Sequence, residues 1–496
     1  MGSLEKMEAF RKKLNDAPSG LCRDKTGDRR LSDLFDPDSF VCLDSSVISK
    51  PFSDSFDRAP VKGDGVTVGY GTIDGRLVFA ASQDPDVYGG SMGKAHSMKI
   101  VKAIEWAVSS NAPFIGLFQS GGARIEEGVV ALEGMSAVLS ALGEAKGRIP
   151  LITGIMGACP GGLAIAAAKS DFIFMIRHAS RLFVNSPSLS LLSESKPTSS
   201  EEIGTPDMHI KTGLASFIVD SEPECFAKMK ELLAVLPMIS DEGACAVRAA
   251  VVSDDANRTS DALDQMATES DIRQVLASKV FEEIADNRYV LRIGSEYGTD
   301  ITVGLGRMDG ILVGFIGNEE VRMSPQGVRK AAKFVRFCDD FLIPMVTVTH
   351  SDGFVLGVNT EISSVLEDAG ILVEAFASAC VPRVAILAGK AIGTAYLCMN
   401  SKMLGADTVY AWPTSEISVL SADAAAHILY REKIAGSEDP ISERSRLVED
   451  YRDQIAGAEV AAALGQVDEL ILPSATRPRV ISALDVLLCA YPLTEA

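Results

Sequence analysis

The fold is indicated by a stretch that occurs twice, VTVGYGTIDGRLV at 66–78 and ITVGLGRMDGILV at 301–313. Eight of the thirteen aligned positions are identical. Each copy has two short, β-branched runs around an Asp-Gly pair that begins at Asp74 or Asp309. Asp-Gly between two such runs is a strong signal of a tight β-hairpin. The sequence therefore predicts two hairpins of one design in a duplicated chain.

The similarity continues downstream in the same order. The segment 99–122 corresponds to 329–353, and each predicts an amphipathic helix that ends before a proline, then a buried strand and a Gly-containing loop. The segment 149–168 corresponds to 381–400, and each predicts a proline-led strand, a Gly-rich turn and a helix of small residues. The spacing between corresponding positions is nearly the same in all three pairs of segments, a regularity that chance does not produce.

A polar stretch, SDDANRTSDALDQMATESD, separates the two copies and is poor in large apolar residues. We therefore expect two homologous α/β domains, an N-terminal one at 1–245 and a C-terminal one at 265–496. Each copy alternates strand, helix, strand, Gly loop and helix, which predicts sheets covered by helices. The length of 496 residues agrees, because it exceeds what one ordinary core accommodates.

The composition narrows the class of protein. A net charge of −20 argues against binding to nucleic acid, which needs an excess of Lys and Arg. The sequence has no apolar run that could cross a bilayer, and MGSLEKMEAF does not resemble a signal peptide. The nine cysteines form no CxxC pair, and the five histidines have no metal-ligand spacing. We expect a cytoplasmic protein in a reducing compartment, with no metal.

Ligand chemistry is expected at the Gly-rich turns. These turns are Gly121-Gly122-Ala123, Gly161-Gly162 and Gly393-Thr394-Ala395. At a strand-to-helix turn, glycine lets the backbone approach a ligand, and the first N–H groups of the helix suit an oxyanion or a phosphate. Glycine also permits tight helix packing, so one such loop is weak evidence. Recurrence at Gly161 and Gly393 strengthens the ligand interpretation.

The motifs of other enzyme classes are missing. There is no GxxxxGK[ST] loop, so nothing indicates ATP hydrolysis by this chain. There is no GxSxG elbow and no recognisable triad pattern. The acid pair Glu126-Glu127 follows Arg124 closely, and a solvated loop or helix start explains it better than catalysis.

Several motifs together resemble the carboxyltransferase subunits of acyl-CoA carboxylases. They are GGSMGKAHSMKI (89–100), SGGARIEEG (120–128), GACPGGL (157–163), DFIFM (171–175), KFVRFCDDFLIP (333–344) and YAWPTSEISV (410–419). The likeness is to the propionyl-CoA carboxylase β type and to the α subunits of sodium-pump decarboxylases. It begins near residue 30 and continues in the same order through nearly the whole chain, which makes it specific.

The resemblance implies two tandem crotonase-like domains, with acyl-CoA bound by the N-domain and biotin by the C-domain. In that family the active site forms between the N-domain of one protomer and the C-domain of another, usually in a hexamer. Backbone amides there hold the thioester oxygen at the first turn, here Gly161 and Gly162. At the second turn they hold the biotin ureido oxygen, here Gly393, Thr394 and Ala395. These five are the expected catalytic residues.

The resemblance also indicates contacts with the acyl-CoA. Its phosphates need cations, and Lys94, Lys99 and Arg124 lie in the two best-matching loops, although all three could be ordinary surface or ion-paired residues. The Gly121-Gly122-Ala123 loop is expected to contact substrate as well. Leu397 stands where propionyl-type enzymes often have Asp, which predicts a changed acyl pocket.

Two further departures from the family pattern concern the C-domain. Thr394 replaces the usual second glycine, which keeps the amide but narrows the approach. The sequence His350-Ser351-Asp352-Gly353-Phe354 replaces the common Asp-Val-Pro-Gly-Phe.

The family places biotin on a partner, a biotin carboxyl carrier protein, together with a biotin carboxylase or a membrane decarboxylase subunit. The same chemistry could run as carboxylation or as the decarboxylating step of a sodium pump. An enoyl-CoA hydratase or isomerase of the same fold, and a non-catalytic assembly subunit, remain as alternatives.

Overall fold

A computed structural model describes residues 5–7, 25–48, 61–185, 203–237, 253–268 and 275–490. The chain divides into two compact units, Met1–Ala234 and Val235–Ala496. Residue 245, the expected end of the N-terminal domain, lies outside the described residues. The stretch expected to join the domains contains a helix, Asp261–Thr268, within the second unit. The boundaries 1–245 and 265–496 stay a prediction.

The first unit contains a mixed sheet and a separate pair of strands. Its described strands are β1 (Val41–Leu43), β2 (Val66–Ile73), β3 (Arg76–Gln83), β4 (Phe114–Phe118), β5 (Leu151–Ile155), β6 (Ala158–Pro160), β7 (Phe172–Ile176), β8 (Arg181–Phe183) and β9 (Phe217–Val219). Seven of them form a sheet in the order β1-β2-β3-β4-β5-β7-β9. The first three are antiparallel and the rest are parallel. Strands β6 and β8 form the separate parallel pair.

Helices pack on this sheet through apolar faces. They are α1 (Thr26–Leu34), α2 (Lys94–Ser109), α3 (Val129–Ala145), α4 (Gly162–Ala167), α5 (Pro206–Lys211) and α6 (Glu222–Val235). Helix α2 buries Ile100, Ala103, Ile104 and Ala107, the spacing of one face of a helix. It packs against α3 and against β2 and β3. This confirms the amphipathic helix predicted before Pro113.

The second unit repeats the arrangement. Its described strands are β10 (Val290–Arg292), β11 (Ile301–Met308), β12 (Ile311–Asn318), β13 (Arg322–Met323), β14 (Met345–Ser351), β15 (Gly353–Phe354), β16 (Arg383–Ile392), β17 (Thr408–Ala411), β18 (Glu416–Ser418) and β19 (Glu469–Leu470). The main sheet has the order β10-β11-β12-β14-β16-β17-β19. Strand β18 pairs with the end of β16, and β13 pairs with β15.

The helices of the second unit range in length from 5 to 16 residues. They are α7 (Asp261–Thr268), α8 (Ala277–Ile284), α9 (Pro325–Asp340), α10 (Val358–Ile362), α11 (Val365–Ser378), α12 (Gly393–Cys398), α13 (Ala422–Leu429), α14 (Arg431–Ala435), α15 (Pro440–Tyr451), α16 (Ala458–Ala463) and α17 (Thr476–Ala490). Helix α9 packs on α11 as α2 packs on α3. Across the described part of the chain, every helix is too short or too polar to span a bilayer.

Both predicted hairpins are confirmed. Ile73 pairs with Arg76 and Met308 with Ile311, so each loop has two residues. The Asp residues of the turns have φ of +50° and +49°, and their glycines have φ of +76° and +75°. Positive φ at both positions is the backbone that a two-residue turn of this twist requires.

The equivalence of the units begins earlier than the sequence showed. Asp36 follows α1 and accepts the N–H groups of the Asp74-Gly75 turn, each at 3.0 Å. Asp286 follows α8 and accepts those of the Asp309-Gly310 turn at 2.9 and 2.7 Å. Each hairpin is therefore held by a carboxylate from the preceding segment.

Candidate active site

The first Gly-rich turn follows β6 and leads into α4. Gly161 has φ +71°, where a residue with a Cβ would be strained. The loop containing Gly121, Gly122 and Ala123 lies beside this turn. The N–H of Ser120 donates to Ala158 O at 2.7 Å, which ties the loop to β6. The structure thus brings together the two Gly-rich segments predicted for the first domain.

The amides of the first turn have different partners. The N–H of Gly161 donates to Phe183 O and Val184 O, both at 3.0 Å, and so faces protein rather than a ligand. Among the described residues, the N–H groups of Gly162 and Ala123 have no hydrogen-bond acceptor. Of the expected pair Gly161 and Gly162, the structure leaves the Gly162 amide open, and it adds Ala123 from the neighbouring loop.

The second turn has the same construction. The end of β16 pairs in parallel with β18, as β6 pairs with β8, and Gly393 follows with φ +59°. Thr394 is exposed and Ala395 is buried at the start of α12. A Cβ on Gly393 would lie 3.1 Å from Val419 O, a tight contact that the neighbouring backbone would have to relieve. Leu397 is 53% exposed one turn further along α12.

A comparison with protein families gives a match over residues 24–490 to the carboxyl transferase domain. The chain belongs to the carboxyl transferase family. This confirms the family recognised from the motifs, and with it the function class, a biotin-dependent acyl-CoA carboxyltransferase component.

Similarity to relatives extends over nearly the whole of this carboxyltransferase. It is 36% identical to the methylmalonyl-CoA decarboxylase subunit alpha of Veillonella parvula, over 93% of this chain and 90% of the relative. It is 36% identical to a propionyl-CoA carboxylase beta chain of Cereibacter sphaeroides, over 92% and 89%. A transcarboxylase 12S crystal structure superimposes with a TM-score of 0.89 at 31% identity, covering 100% of this chain and 96% of that one. The expected fold, two tandem crotonase-like α/β copies, is confirmed.

Arg124 of the carboxyltransferase is buried, with only 5% of its surface exposed. Its Nη1 lies 2.8 Å from both the Asp64 and the Glu127 carboxylates. Those carboxylates also accept N–H groups at the start of α2, Asp64 from His96 at 2.9 Å and Glu127 from Lys94 at 2.7 Å. We call Asp64, Arg124 and Glu127 the clasp. Because the clasp already matches the guanidinium charge, it weighs against the expected phosphate contact of Arg124.

Lys94 differs from Arg124 in exposure. Its Nζ lies 3.0 Å from Glu133, and the two side chains are 52% and 57% exposed. Such a pair in water is weak. Lys94 therefore stays accessible to an anion.

Two buried lysines, Lys99 and Lys330, occupy equivalent positions in the two units. Lys99 is 2% exposed, which weighs against the phosphate contact expected of it, and sequence reasoning missed Lys330. Lys99 donates to Gly63 O at 2.8 Å, and Lys330 donates to Tyr297 O at 2.6 Å. Each anchors the loop that precedes a hairpin. Burial lowers the pKa of both to about 8. The only sequence signal was that both stand near the start of the matching helices, at the spacing of the repeat.

Exposed apolar side chains flank both turns at equivalent positions. We call them the first rim (Ile125, Ile165 and Val184, exposed by 90%, 45% and 60%) and the second rim (Leu356, Leu397 and Val419, exposed by 76%, 53% and 81%). In the order given, the members of the two rims correspond one to one at the spacing of the repeat. Exposed apolar clusters of this kind mark surfaces that bind a ligand or another protein.

No group of three His, Cys, Asp or Glu side chains suited to a metal occurs within the residues that the structure describes. His96 is buried in the first unit, with Nδ1 2.9 Å from Asp64 O and Nε2 3.1 Å from the Gln83 amide. Burial lowers its pKa to about 3, so it is neutral and structural.

Proposed function

We propose that this chain moves a carboxyl group between biotin on a separate carrier protein and the α-carbon of a short acyl-CoA. The observation that supports this most is the recurrence of one positive-φ Gly turn, at Gly161 and Gly393, in both halves of a carboxyltransferase. The substrate class comes from relatives named for methylmalonyl-CoA and propionyl-CoA, at 36% identity each. Since these relatives work in opposite directions, the proposal covers transfer either way.

The first turn would hold the acyl-CoA. The amides of Gly162 and Ala123 are open to an oxygen acceptor, and they belong to adjacent segments of one unit. An oxygen bound there becomes more negative as the α-carbon loses its proton, so the amides stabilise the enolate more than the thioester. Each such donor contributes about 3 kcal/mol to lowering the barrier. Gly161 would act by its backbone angle, because its own N–H is used within the protein.

The second turn would hold the ureido oxygen of biotin through the amides of Gly393, Thr394 and Ala395. When bound, carboxylated biotin supplies the carboxyl group and a nitrogen base. The residues fit such a ring, because Gly393, at φ +59°, presents backbone without a side chain at the start of α12. Thr394 is exposed, and its Cβ would narrow the approach while keeping the amide.

The acyl group and the phosphates would be recognised by side chains near the turns. Lys94 is the exposed cation of the three predicted for coenzyme A. Leu397 is an exposed apolar residue of the second rim, beside the second turn. We expect it to favour an uncharged, apolar acyl chain, since it offers a carboxyl group no polar partner.

The two rims would be covered by a second copy of the chain, the first rim of one protomer meeting the second rim of another. The transcarboxylase 12S structure is a hexamer assembly with methylmalonyl-CoA bound. We propose a homohexamer here, together with a biotin carboxyl carrier protein and either a biotin carboxylase or a membrane decarboxylase subunit.

A hydratase would need carboxylates free to act at the substrate. Glu127 follows the loop that contains Gly121. Its carboxylate already accepts hydrogen bonds from Arg124 and from the backbone N–H of Lys94 at the start of α2. This favours carboxyl transfer, in which backbone amides supply most of the stabilisation.

The test is turnover with free biotin and a panel of malonyl-, methylmalonyl- and glutaconyl-CoA, following biotin-dependent appearance of the decarboxylated thioester. We expect turnover with at least one substrate, and none with Gly162→Pro, which removes an open amide. The matched control is Gly143→Pro on α3, which alters a helix but no turn amide. Bound acyl-CoA with no turnover for any substrate would contradict the proposal and favour a hydratase or an assembly subunit.

A further inference from the structure

Strands β14 and β16 change register just before the second turn. Thr349 pairs with Leu387, but Ser351 pairs with Ala391, so two steps along β14 face four along β16. The extra residues form a bulge, in which the ladder cannot use every N–H group. The bulge lies immediately upstream of Gly393, so its conformation sets the direction in which the chain enters the second turn.

The imidazole of His350 lies against this bulge and is 2% exposed. Its Nδ1 accepts the N–H of Lys390 at 3.0 Å, and its own backbone N–H donates to Asn318 Oδ1 at 3.1 Å. A Cβ on Gly389 would collide with Nδ1, so the ring contacts the backbone directly. Because Nδ1 accepts a hydrogen bond, the neutral ring has its proton on Nε2.

The first unit has a corresponding irregularity with a different side chain. There Met156 N–H donates to Phe118 O and Ser120 N–H to Ala158 O, and Gln119 lies between them. A Cβ on Gly157 would collide with the Gln119 amide, as one on Gly389 would with His350. The corresponding position of the repeat therefore places a side chain against the backbone in both units, an amide in the first and an imidazole in the second.

We propose that His350 is a positioning residue for the second turn, where its neutral imidazole holds Lys390 and so aligns the amides from Gly393 to Ala395. This rests on the proposed role of that turn in binding biotin. Without the acceptor at Nδ1, the N–H of Lys390 loses its hydrogen bond, the bulge rearranges, and carboxyl transfer falls.

Neighbouring contacts hold the same segments in place. Lys390 and Asp352 form an ion pair at 3.1 Å, which ties the bulge to the residue after β14. Glu319 follows Asn318 and is held by Ser278, whose N–H and hydroxyl donate to it at 2.9 and 3.0 Å.

Two substitutions test the proposal. His350→Asn places an amide oxygen at the same branch position as Nδ1, so it accepts a hydrogen bond but does not titrate. His350→Ala removes the acceptor. At about pH 8 we expect His350→Ala to lower kcat/KM for biotin by at least about tenfold, a fraction of the effect of losing an oxyanion donor. The KM for acyl-CoA should not change. His350→Asn should retain most activity at that pH, and a loss as large as that of His350→Ala would overturn the proposal.

Hydrogen exchange followed by mass spectrometry gives a readout that needs no turnover. At one pH, a peptide spanning residues 388–394 should exchange faster in His350→Ala than in wild type or His350→Asn, and a peptide spanning 156–162 should not change. Equal exchange in all three proteins would overturn the proposal even in an active enzyme. If wild type transfers no carboxyl group but His350→Ala still loses protection, the proposed function fails and the positioning role stands. If His350→Ala does not fold, His350→Leu, which fills the space but offers no acceptor, should lose protection over residues 388–394 where His350→Asn does not.

Discussion

The two units share the backbone conformation of their hairpins and Gly turns. They differ in the charged residues at the start of the helix that follows each hairpin. In the first unit, helix α2 begins after Gly93, which has no capping side chain, and the clasp supplies the carboxylates instead. In the second unit, Ser324 caps helix α9 by accepting the N–H of Gly327 at 3.0 Å. Asp300 then accepts the N–H of Ser324 at 2.7 Å.

The residue equivalent to Arg124 in the second unit is Val355, by the spacing of the repeat. The second unit therefore needs no buried guanidinium to start its helix. What both units retain is the Asp-held hairpin, the buried lysine and the positive-φ Gly turn. All three act on the backbone, which is the part of the chain that a reaction run through amides depends on.

Of the differences between the two units, the clasp should have the largest effect on stability. Arg124→Met would leave the buried Asp64 and Glu127 carboxylates without their cation. Breaking a buried ion pair from one side costs about 3–5 kcal/mol in the free energy of unfolding. Denaturant unfolding of the variant measures this loss. Lys94→Met removes only an exposed pair and should cost less than about 1 kcal/mol. Similar losses in the two variants would show that the clasp does not stabilise the first unit.

The two turns should differ in their tolerance of a methyl group. In Gly161→Ala the new Cβ meets its nearest neighbour, Val184 O, at 4.0 Å, whereas in Gly393→Ala it meets Val419 O at 3.1 Å. Backbone strain of about 1–2 kcal/mol acts in both variants. We expect kcat/KM to fall about tenfold for Gly161→Ala and about hundredfold for Gly393→Ala, because a crowded turn moves its amides further. Equal losses of kcat/KM in the two variants would mean that backbone strain alone, and not crowding by Val419, sets the effect.

The smallest effect should be shared by the buried lysines. Burial lowers the pKa of Lys99 and Lys330 to about 8 in the folded chain, below the unfolded value of about 10.4. Between these values the unfolded chain binds more protons, so the free energy of unfolding rises with pH. Lys99→Met and Lys330→Met should each cost about 1–2 kcal/mol at neutral pH through lost hydrogen bonds.

The pH dependence separates these lysines from ordinary hydrogen bonds. The difference in unfolding free energy between wild type and either variant should grow from about pH 8 to 10, because only wild type has the titrating amine. Urea unfolding at several pH values measures it. A difference that stays constant would show that the ammonium groups are not desolvated in the folded state.

Much of the fold could be predicted because its signals are local. The Asp-Gly turns, the prolines after the helices and the Gly-rich strand-to-helix turns each involve a few neighbouring residues, and their regular spacing exposed the duplication. The segment from α1 to β1 could not be matched to the segment from α8 to β10 by this spacing. These two segments are further apart in the chain than the other matching pairs, and their equivalence shows only in the contacts of Asp36 and Asp286.

The candidate site could be predicted in outline. The two turns and the loop at Gly121 come from sequence, but the partners of individual groups do not. Gly161 N–H is used by Phe183 and Val184, which lie on a later segment of the chain, while Ala123 provides an open amide beside Gly162. The sequence left Arg124 as a phosphate contact or as an ordinary surface or ion-paired residue, and the carboxylate of Asp64 that pairs with it comes from far earlier in the chain.

The sequence by itself determined the family, the duplication, the hairpins and the position of both Gly turns, since each depends on residues close in the chain or on a repeat of such residues. Only the tertiary structure decided which amides are open, that Lys99 and Lys330 are buried anchors, and that His350 holds the bulge before the second turn. The physical reason is that a buried polar group must find a partner, and that partner is supplied by whichever distant segment the fold places beside it.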